Sequence, residues 1–274
     1  GFVLTPDELV PNLSITFDYY NMIVNKAITT PTPGDVISAC FGSITASSAS
    51  SPACLAIFRS AANGRLSGSS ATVKGLPGLL TNSGRLATDG VDFTVDWKKD
   101  LGFAKLAMSL NGNWTNHSRF QASPTSVNRD CVGYYSANCG SIQPKWSWTD
   151  RTTLSYKMVD LSVLWRHISS VRYEPGLPAL FSGTVTNAAG ASSPLAGTTV
   201  DMNKISAYDY FDLSARVSLF DHYTITGTIT NLFNRKPPLV GSAAGSTSFN
   251  SGNTYPSTYD AVGRRYMISG SVKF

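Results

Sequence analysis

The chain has 274 residues, of which only 14% are charged and 11% are aromatic, and its formal net charge is +5. Soluble domains average about 25% charged residues, so this composition favours a surface that does not face water. No apolar run reaches the roughly 18 residues that a transmembrane helix needs, which excludes such a helix. A membrane protein without one must cross the bilayer as a β-barrel.

The N-terminal segment GFVLTPDELVP has no initiator Met and no signal-peptide pattern. We therefore expect either a mature chain or a piece of a longer protein. The basic residues are scattered, and only three adjacent pairs occur, namely Lys98-Lys99, Arg235-Lys236 and Arg264-Arg265. Nucleic-acid binding requires a clustered basic stripe, so no nucleic-acid partner is expected.

Apolar and polar residues alternate with a period of two along most of the chain, as in strands with one apolar face. In chain order the alternation predicts eight strands, in segments 13–20, 91–97, 104–114, 144–156, 161–166, 211–219, 223–230 and 266–274. Residues 1 to 5 are expected to finish a further strand. Basic residues fall on the polar side of these segments, as lipid on the other side requires: Lys105, Arg151, Arg166 and Arg216. Asp150 breaks the pattern, because it lies on an apolar side.

The connections between the predicted strands alternate in length. Short turns are expected around residues 98–101, 157–160 and 220–222, and long loops over 30–75, 118–143, 172–204 and 235–257. Aromatic residues flank both ends of the strands. Outer-membrane barrels combine short periplasmic turns, long extracellular loops and aromatic girdles. A soluble β-sandwich also has alternating strands, but it does not account for the loop pattern.

The four cysteines form two close pairs in sequence, Cys40 with Cys54 and Cys131 with Cys139. Their segments are rich in small and polar residues and lack metal-ligand spacing. Two loop disulfides in an oxidising compartment fit better, with sequential pairing preferred among the three possible connectivities and free thiols as the alternative. We also predict a ligand-contacting loop around the second pair, where four aromatic or basic residues cluster: Arg129, Tyr134, Tyr135 and Lys145.

Catalytic motifs are not found in the sequence. The three histidines, His117, His167 and His222, are far apart, and no zinc-protease, P-loop or nucleophile-elbow motif occurs. Asp92 and Asp96 share one side of a predicted strand, where they fit a polar wall better than a hydrolytic pair. We therefore expect no enzyme activity, no metal and no cofactor.

Three segments carry a more specific signal. In TNSGRLATDGVDFTVDW the motif residues are Gly90, Val91 and Asp92; in TITNLFNRKPP they are Asn231, Leu232 and Phe233; in YDAVGRRYMISGSVKF they are Tyr259, Asp260, Gly263 and Arg264, with Phe274 at the end. Together and in this order they resemble the barrel motifs of the TonB-dependent outer-membrane receptors of Gram-negative bacteria.

This resemblance implies an antiparallel transmembrane β-barrel of about 22 strands. We expect residues 1–274 to form a single domain, the last eight strands, without the N-terminal plug and the TonB box. It further implies energised uptake of a small-molecule ligand such as an iron-siderophore, a vitamin or an oligosaccharide. Outer-membrane lipid and, through the absent parts, the TonB complex are the implied partners. In that family the assembly machinery reads the final strand, here the outward residues Tyr266, Ile268, Val272 and Phe274. Two alternatives stay open: a self-contained eight-stranded barrel with a passive or adhesive role, and a soluble β-sandwich binding module.

Overall fold

A computed structural model describes residues 1–42, 44–66, 68–69, 71–76, 78, 80–124, 126–187, 192–220, 222–245 and 253–273. Eight strands of eight or more residues dominate it: β2 (Leu13–Thr29), β3 (Thr81–Asp100), β4 (Lys105–Gln121), β7 (Trp146–Tyr156), β8 (Val159–Ile168), β13 (Tyr208–Leu219), β14 (Tyr223–Thr230) and β15 (Arg265–Val272). Each predicted strand segment overlaps one of these, with differences of one or two residues at the ends of 104–114, 144–156 and 266–274, and β1 (Phe2–Leu4) is the expected short strand at the start.

The remaining elements are short and lie in the long connections. They are helices α1 (Pro33–Phe41) and α2 (Pro52–Leu55), two single 3-10 turns (Ser48–Ser50 and Ser242–Ala244), and strands β5 (Arg129–Asp130), β6 (Tyr134–Tyr135), β9 (Val171–Tyr173), β10 (Ser182–Thr184), β11 (Thr199–Asp201) and β12 (Lys204–Ile205). Among the described residues, no helix has the length and apolar character needed to cross a membrane.

The long strands form one sheet in the order β1-β2-β3-β4-β7-β8-β13-β14-β15, with β5 paired to β4. Every pairing with a determined register in this sheet is antiparallel. Neighbours in sequence are therefore neighbours in the sheet, the arrangement that short turns and returning loops produce. The predicted all-β, antiparallel fold is confirmed.

The register joins the apolar residues of successive strands into continuous rows. Two such rows, read from β7 to β15, are Leu154, Leu161, Ala215, Gly227 and Ile268, and Thr152, Val163, Leu213, Ile229 and Tyr266. Because side chains alternate between faces, the neighbouring row on the opposite face is polar until its last member: Thr153, Ser162, Ser214, Thr228 and Met267. The apolar face is open, with Ile268 83% and Leu161 45% exposed.

The chain divides into two compact units, and β2, β3 and β4 contribute residues to both. The first comprises residues 1–20, 90–116 and 132–274, and the second residues 21–89 and 117–131. In the second unit, Thr32 caps the N-terminus of α1 by accepting from the Asp35 backbone N–H, and Pro33 occupies the first helical turn. A disulfide then joins Cys40 to Cys54, which ties α1 to α2.

Candidate functional site

Polar side chains of the first unit form a hydrogen-bonded wall on the face opposite the apolar rows. The Asn113 amide donates to the Asp92 carboxylate at 2.7 Å and to the Tyr20 hydroxyl at 3.0 Å. Next to them, Thr94 donates to the Asn111 carbonyl at 3.1 Å. These residues belong to three adjacent strands, so the bonds fix the side chains across the sheet. Thr115 donates to the Asn113 side-chain carbonyl and Asn111 donates to Ser109, which leaves the second carboxylate oxygen of Asp92 for a ligand.

Arg166 of β8 supplies the positive charge in this wall. Its guanidinium donates to Asp212 at 3.1 Å and lies 5.2 Å from the centre of the Tyr210 ring. Its Nε atom is buried and has no hydrogen-bond partner among the described residues. A cavity of about 460 Å³ opens here, lined by Asp92, Asn111, Asn113, Ser147, Thr149, Arg166, Tyr210 and Thr258, among others. The cavity combines hydrogen-bonding side chains from five strands and one loop with an apolar surface that includes Trp148 and Ile168.

Gly90 leaves the space in which the Tyr20 hydroxyl reaches this wall. A Cβ atom built at Gly90 would lie 2.3 Å from the Trp114 carbonyl oxygen and 2.5 Å from the Tyr20 hydroxyl. Any larger residue would displace one of them. The motif glycine thus permits the close approach that positions Tyr20 against Asn113, and Asp92, two residues later, completes the same network.

The long connections of the first unit pack together into a loop core above the strands. Its buried members are Tyr135, Ile142, Val171, Ile205, Tyr210, Val240, Ala244, Tyr255 and Tyr259. A small three-stranded sheet, β12-β9-β6, supports it, with β6 parallel to β9. The Tyr135 hydroxyl donates to the Met202 carbonyl, and the amide of Asn203 both donates to and accepts from the Leu180 backbone. The loops are therefore folded against one another.

Burial changes the acidity of the loop-core tyrosines. Desolvation raises the pKa of Tyr255 to about 12, and it raises the pKa values of Tyr135 and Tyr259 even further above the ordinary range. In contrast, the pKa of the exposed Asp201 is lowered, because the backbone N–H and side chain of Asn203 donate to its carboxylate. The tyrosines stay neutral at physiological pH and act as packing and hydrogen-bonding groups.

The motif residues after β14 form a turn closed by side chains. Asn231 is 1% exposed and has a positive φ of 53°; its carbonyl accepts from the Arg235 N–H and its amide donates to the Arg235 carbonyl. The Asn231 backbone N–H donates to Asp212 at 2.8 Å. Leu232 donates to the Phe211 carbonyl at 2.7 Å, and Phe233 is exposed. The turn is thus tied to the strand that carries the polar wall.

The motif residues of the last segment, Tyr259 to Arg264, cap the start of β15. Asp260 accepts from the backbone N–H groups of Val262 and Gly263, and its own N–H donates to the Tyr210 hydroxyl. Gly263 has a φ of 87°, and a Cβ there would lie 2.9 Å from the Asn234 side chain. Buried Tyr259 and exposed Arg264 flank this cap. These motif residues hold the last loop in place and touch no cavity of the polar wall.

The predicted ligand-loop residues occupy different environments. Tyr135 is fully buried in the loop core, Tyr134 is partly buried, and Lys145 is exposed. Arg129 belongs to the second unit, where it forms an ion pair with buried Asp35 at 2.5 Å. The polar wall that Asp92 was predicted to join is present, but its hydrogen bonds could not be predicted, because period two only assigns Asp92, Asn113 and Arg166 to a polar face. The period does not say which of them meet across strands.

The other predicted site residues are placed as follows. Cys131 and Cys139 are also in disulfide form, as are Cys40 and Cys54. Of the assembly-signal residues, Tyr266, Ile268 and Val272 are exposed on the apolar side of β15, while Phe274 lies outside the described residues. No group of three His, Cys, Asp or Glu side chains able to hold a metal occurs in the part of the chain that the structure describes.

No protein-family model matches the sequence, and no curated protein sequence matches it either. Solved structures do match. A mutant ferric enterobactin receptor of Pseudomonas aeruginosa in complex with enterobactin has a TM-score of 0.56 at 14% identity, covering 99% of this chain and 30% of that one. The siderophore receptor PirA of Acinetobacter baumannii has a TM-score of 0.50 at 9% identity, with the same coverage, 99% of this chain and 30% of that one.

At this level of identity the likeness establishes the fold. The chain has the antiparallel fold of β-barrel receptors, over about 30% of their length. The resemblance to TonB-dependent receptors that the sequence motifs indicate is therefore confirmed at the level of the fold. Both matched structures are receptors by description.

Proposed function

We propose that this chain is part of an outer-membrane transporter that takes up a scarce ligand, such as an iron-siderophore, a vitamin or an oligosaccharide, with energy from the TonB complex. The proposal rests on one observation, that a single sheet has an apolar face and a polar face. Continuous apolar rows cover one face, and a hydrogen-bonded polar wall with a cavity of about 460 Å³ covers the other. A soluble sandwich would instead bury its apolar face against a second sheet.

The apolar face is suited to lipid. Exposed residues such as Ile268, Tyr266 and Leu161 would each lose hydration favourably in a bilayer, at about 25 cal/mol per Å² of apolar area. The charged residues of the same strands, among them Arg151, Arg166 and Arg216, alternate with that face and so avoid the lipid. This arrangement supports a location in the outer membrane of a Gram-negative bacterium.

The polar wall and the loop core serve the ligand in this proposal. Asn113, Asp92 and Arg166 line the cavity and would offer donors and acceptors inside the barrel. Tyr134 and Lys145 remain the loop residues that we assign to ligand capture, whereas buried Tyr135 would act by holding β6 in position. Because the chain spans about 30% of the receptors that share its fold, we assign the plug and the contact with TonB to other parts of such a receptor.

The proposal is tested by location first and by uptake second. Outer membranes isolated from the native bacterium should contain the protein, and deleting its gene should abolish energy-dependent accumulation of at least one labelled probe. The probes are a ferric catecholate siderophore, cobalamin and a neutral oligosaccharide, each with and without a protonophore. Recovery of the protein in the soluble fraction, or unchanged uptake of every probe, would contradict the proposal.

Point variants connect the uptake to the polar wall. Replacing Asn113 with Leu removes the donor to both Asp92 and Tyr20. We expect it to reduce uptake about tenfold, since a ligand in the cavity then meets an apolar side chain in place of a hydrogen-bonding one. Ser269→Ala is the matched control, because Ser269 faces the same side of the sheet on β15 but does not line the cavity. Equal uptake by the two variants would argue against the wall as the ligand path.

A further inference from the structure

An aromatic cleft lies on the apolar side of the sheet, where β8, β13 and β14 approach the loops. The Trp165 and Phe211 rings stack with centroids 6.0 Å apart, and Phe233 meets Phe211 edge-on at 5.6 Å. Phe211 is two residues from Leu213 and pairs with Trp165 in the register, which assigns both to the apolar face. The cleft has a volume of about 540 Å³, and Phe233 at its mouth is 70% exposed.

One end of this cleft is polar. Asp209 accepts hydrogen bonds from the Trp165 indole N–H at 2.8 Å and is 2.7 Å from His167 Nδ1. Arg235 lines the same cleft; its guanidinium lies 4.1 Å from the centre of the Tyr208 ring and donates to the Ala207 carbonyl at 3.1 Å. Among the described residues Arg235 forms no ion pair. Its charge is thus held in position and retains N–H donors for an external anion.

Further basic residues lie beside the turn of residues 231–235, which forms one side of the cleft. Lys236 follows Arg235 and is exposed, and exposed Arg264 is fixed beside the same turn, because its backbone N–H donates to the Asn234 side chain at 3.2 Å. The Arg264 guanidinium lies 3.5 Å from the hydroxyl of Tyr266, an outward residue. The nearby carboxylate of Asp260 is only 6% exposed and is occupied by backbone donors. The carboxylate of Asp209 also lines the cleft, but it accepts from Trp165 and faces His167. The basic residues Arg235, Lys236 and Arg264 therefore outnumber the accessible carboxylates here.

We propose that this cleft binds the phosphorylated headgroup of a lipid in the outer leaflet of the membrane. Arg235, Lys236 and Arg264 would hold the phosphate through charge-assisted hydrogen bonds, while Phe233 and Tyr266 contact the adjoining apolar part of the lipid. The inference rests on the proposed outer-membrane location. It goes beyond that function, because uptake requires only a lipid-compatible surface and not a phosphate-selective site.

The experiment measures binding of diphosphorylated lipid A to the detergent-purified protein, with dephosphorylated lipid A as the comparison probe. The double variant Lys236→Gln/Arg264→Gln should weaken binding about tenfold or more, the effect of losing charge-assisted bonds, and Phe233→Ser should also weaken it. The matched control, Lys99→Gln/Lys157→Gln, removes the same charge from exposed positions at the short turns. It should change the affinity by less than about twofold.

Two results would overturn the inference. One is equal affinity of the unmodified protein for phosphorylated and dephosphorylated lipid A, and the other is equal loss of affinity in the two double variants. Inorganic phosphate at the same concentration should not compete; effective competition would show a free-anion site instead of a lipid site. Because binding is measured in detergent, failure here is distinguishable from failure of the proposed function, which is decided by cell fractionation and uptake.

Discussion

Replacing Asn231 is expected to destabilise the folded protein through two separable losses. Its side chain closes the turn after β14 with two hydrogen bonds to the Arg235 backbone, at 2.8 Å and 3.0 Å. Its backbone has a φ of 53°, in the left-handed region. Asn231→Ala removes both bonds and forces an alanine into that conformation, whereas Asn231→Gly removes the bonds but tolerates the conformation.

The size of each loss follows from these contacts. Two intramolecular hydrogen bonds contribute about 0.5–1.5 kcal/mol each, and a left-handed alanine costs about 1–2 kcal/mol. We therefore expect Asn231→Ala to lower the free energy of unfolding by about 2–5 kcal/mol. Asn231→Gly should lower it by about 1–3 kcal/mol. The difference between the two variants isolates the backbone contribution.

Asn12 provides the matched control, because it has a similar φ of 60° but its side chain makes no hydrogen bond among the described residues. Asn12→Ala should cost about 1–2 kcal/mol, and Asn12→Gly close to nothing. The assay is equilibrium unfolding by denaturant in detergent micelles. The reasoning is refuted if Asn231→Gly is as stable as the unmodified protein, or if the glycine variants of the two positions lose equal stability.

Three further outcomes follow from the loops. Tyr135→Phe should destabilise the loop core by about 1 kcal/mol through loss of its bond to the Met202 carbonyl. Tyr259→Phe should leave the free energy of unfolding unchanged, because the buried Tyr259 hydroxyl has no partner in the described part of the chain. Near-UV circular dichroism during unfolding compares the stability of the two variants. Equal losses of stability would contradict the assignment of the Tyr135 hydrogen bond. Burial raises the folded-state pKa of Tyr255 to about 12. The stability of the loop core should therefore be intact below the ordinary tyrosine pKa of about 10 and should fall as the pH rises from 10 to 12. Tyrosinate absorbance follows the ionisation, and a transition already complete at pH 10 would count against this prediction. The Cys40–Cys54 disulfide joins residues 14 positions apart, and its removal should lower the local free energy of unfolding by about 3 kcal/mol. Proteolysis between residues 30 and 80 should then become faster. An unchanged cleavage rate in this segment would disprove the prediction.

Much of the strand architecture could be predicted from the sequence. Alternation alone places Val163 and Leu213 on the apolar side and Ser162 and Ser214 on the polar side, and the register pairs each set as expected. This succeeds because a strand has only two faces and a one-residue slip would expose every apolar side chain to the wrong solvent. Asp150, the predicted exception, does lie between Leu110 and Trp165 on the apolar side.

The loops could not be predicted in the same way. Tyr135 was expected to contact a ligand because it is aromatic and lies in a long loop, yet it is buried against Tyr173 and Tyr255. Contacts of that kind join segments far apart in sequence and carry no local period. The contacts of His167, a residue of strand β8, could not be predicted either. Its ring stacks on Trp148 with centroids 3.7 Å apart, and its Nδ1 lies 2.7 Å from the carboxylate of Asp209 on β13. Only the register brings those residues together.

The central claim, that one face of the sheet contacts lipid and the other lines a wet interior, is tested most directly by spin-label accessibility. All four native cysteines are in disulfides, so single cysteines can be labelled selectively at Val163, Leu213, Ser162 and Ser214. In membranes, labels at Val163 and Leu213 should be accessible to oxygen and shielded from a water-soluble nickel complex. Labels at Ser162 and Ser214 should behave in the opposite way. Equal accessibility of all four positions to the nickel complex would contradict the account.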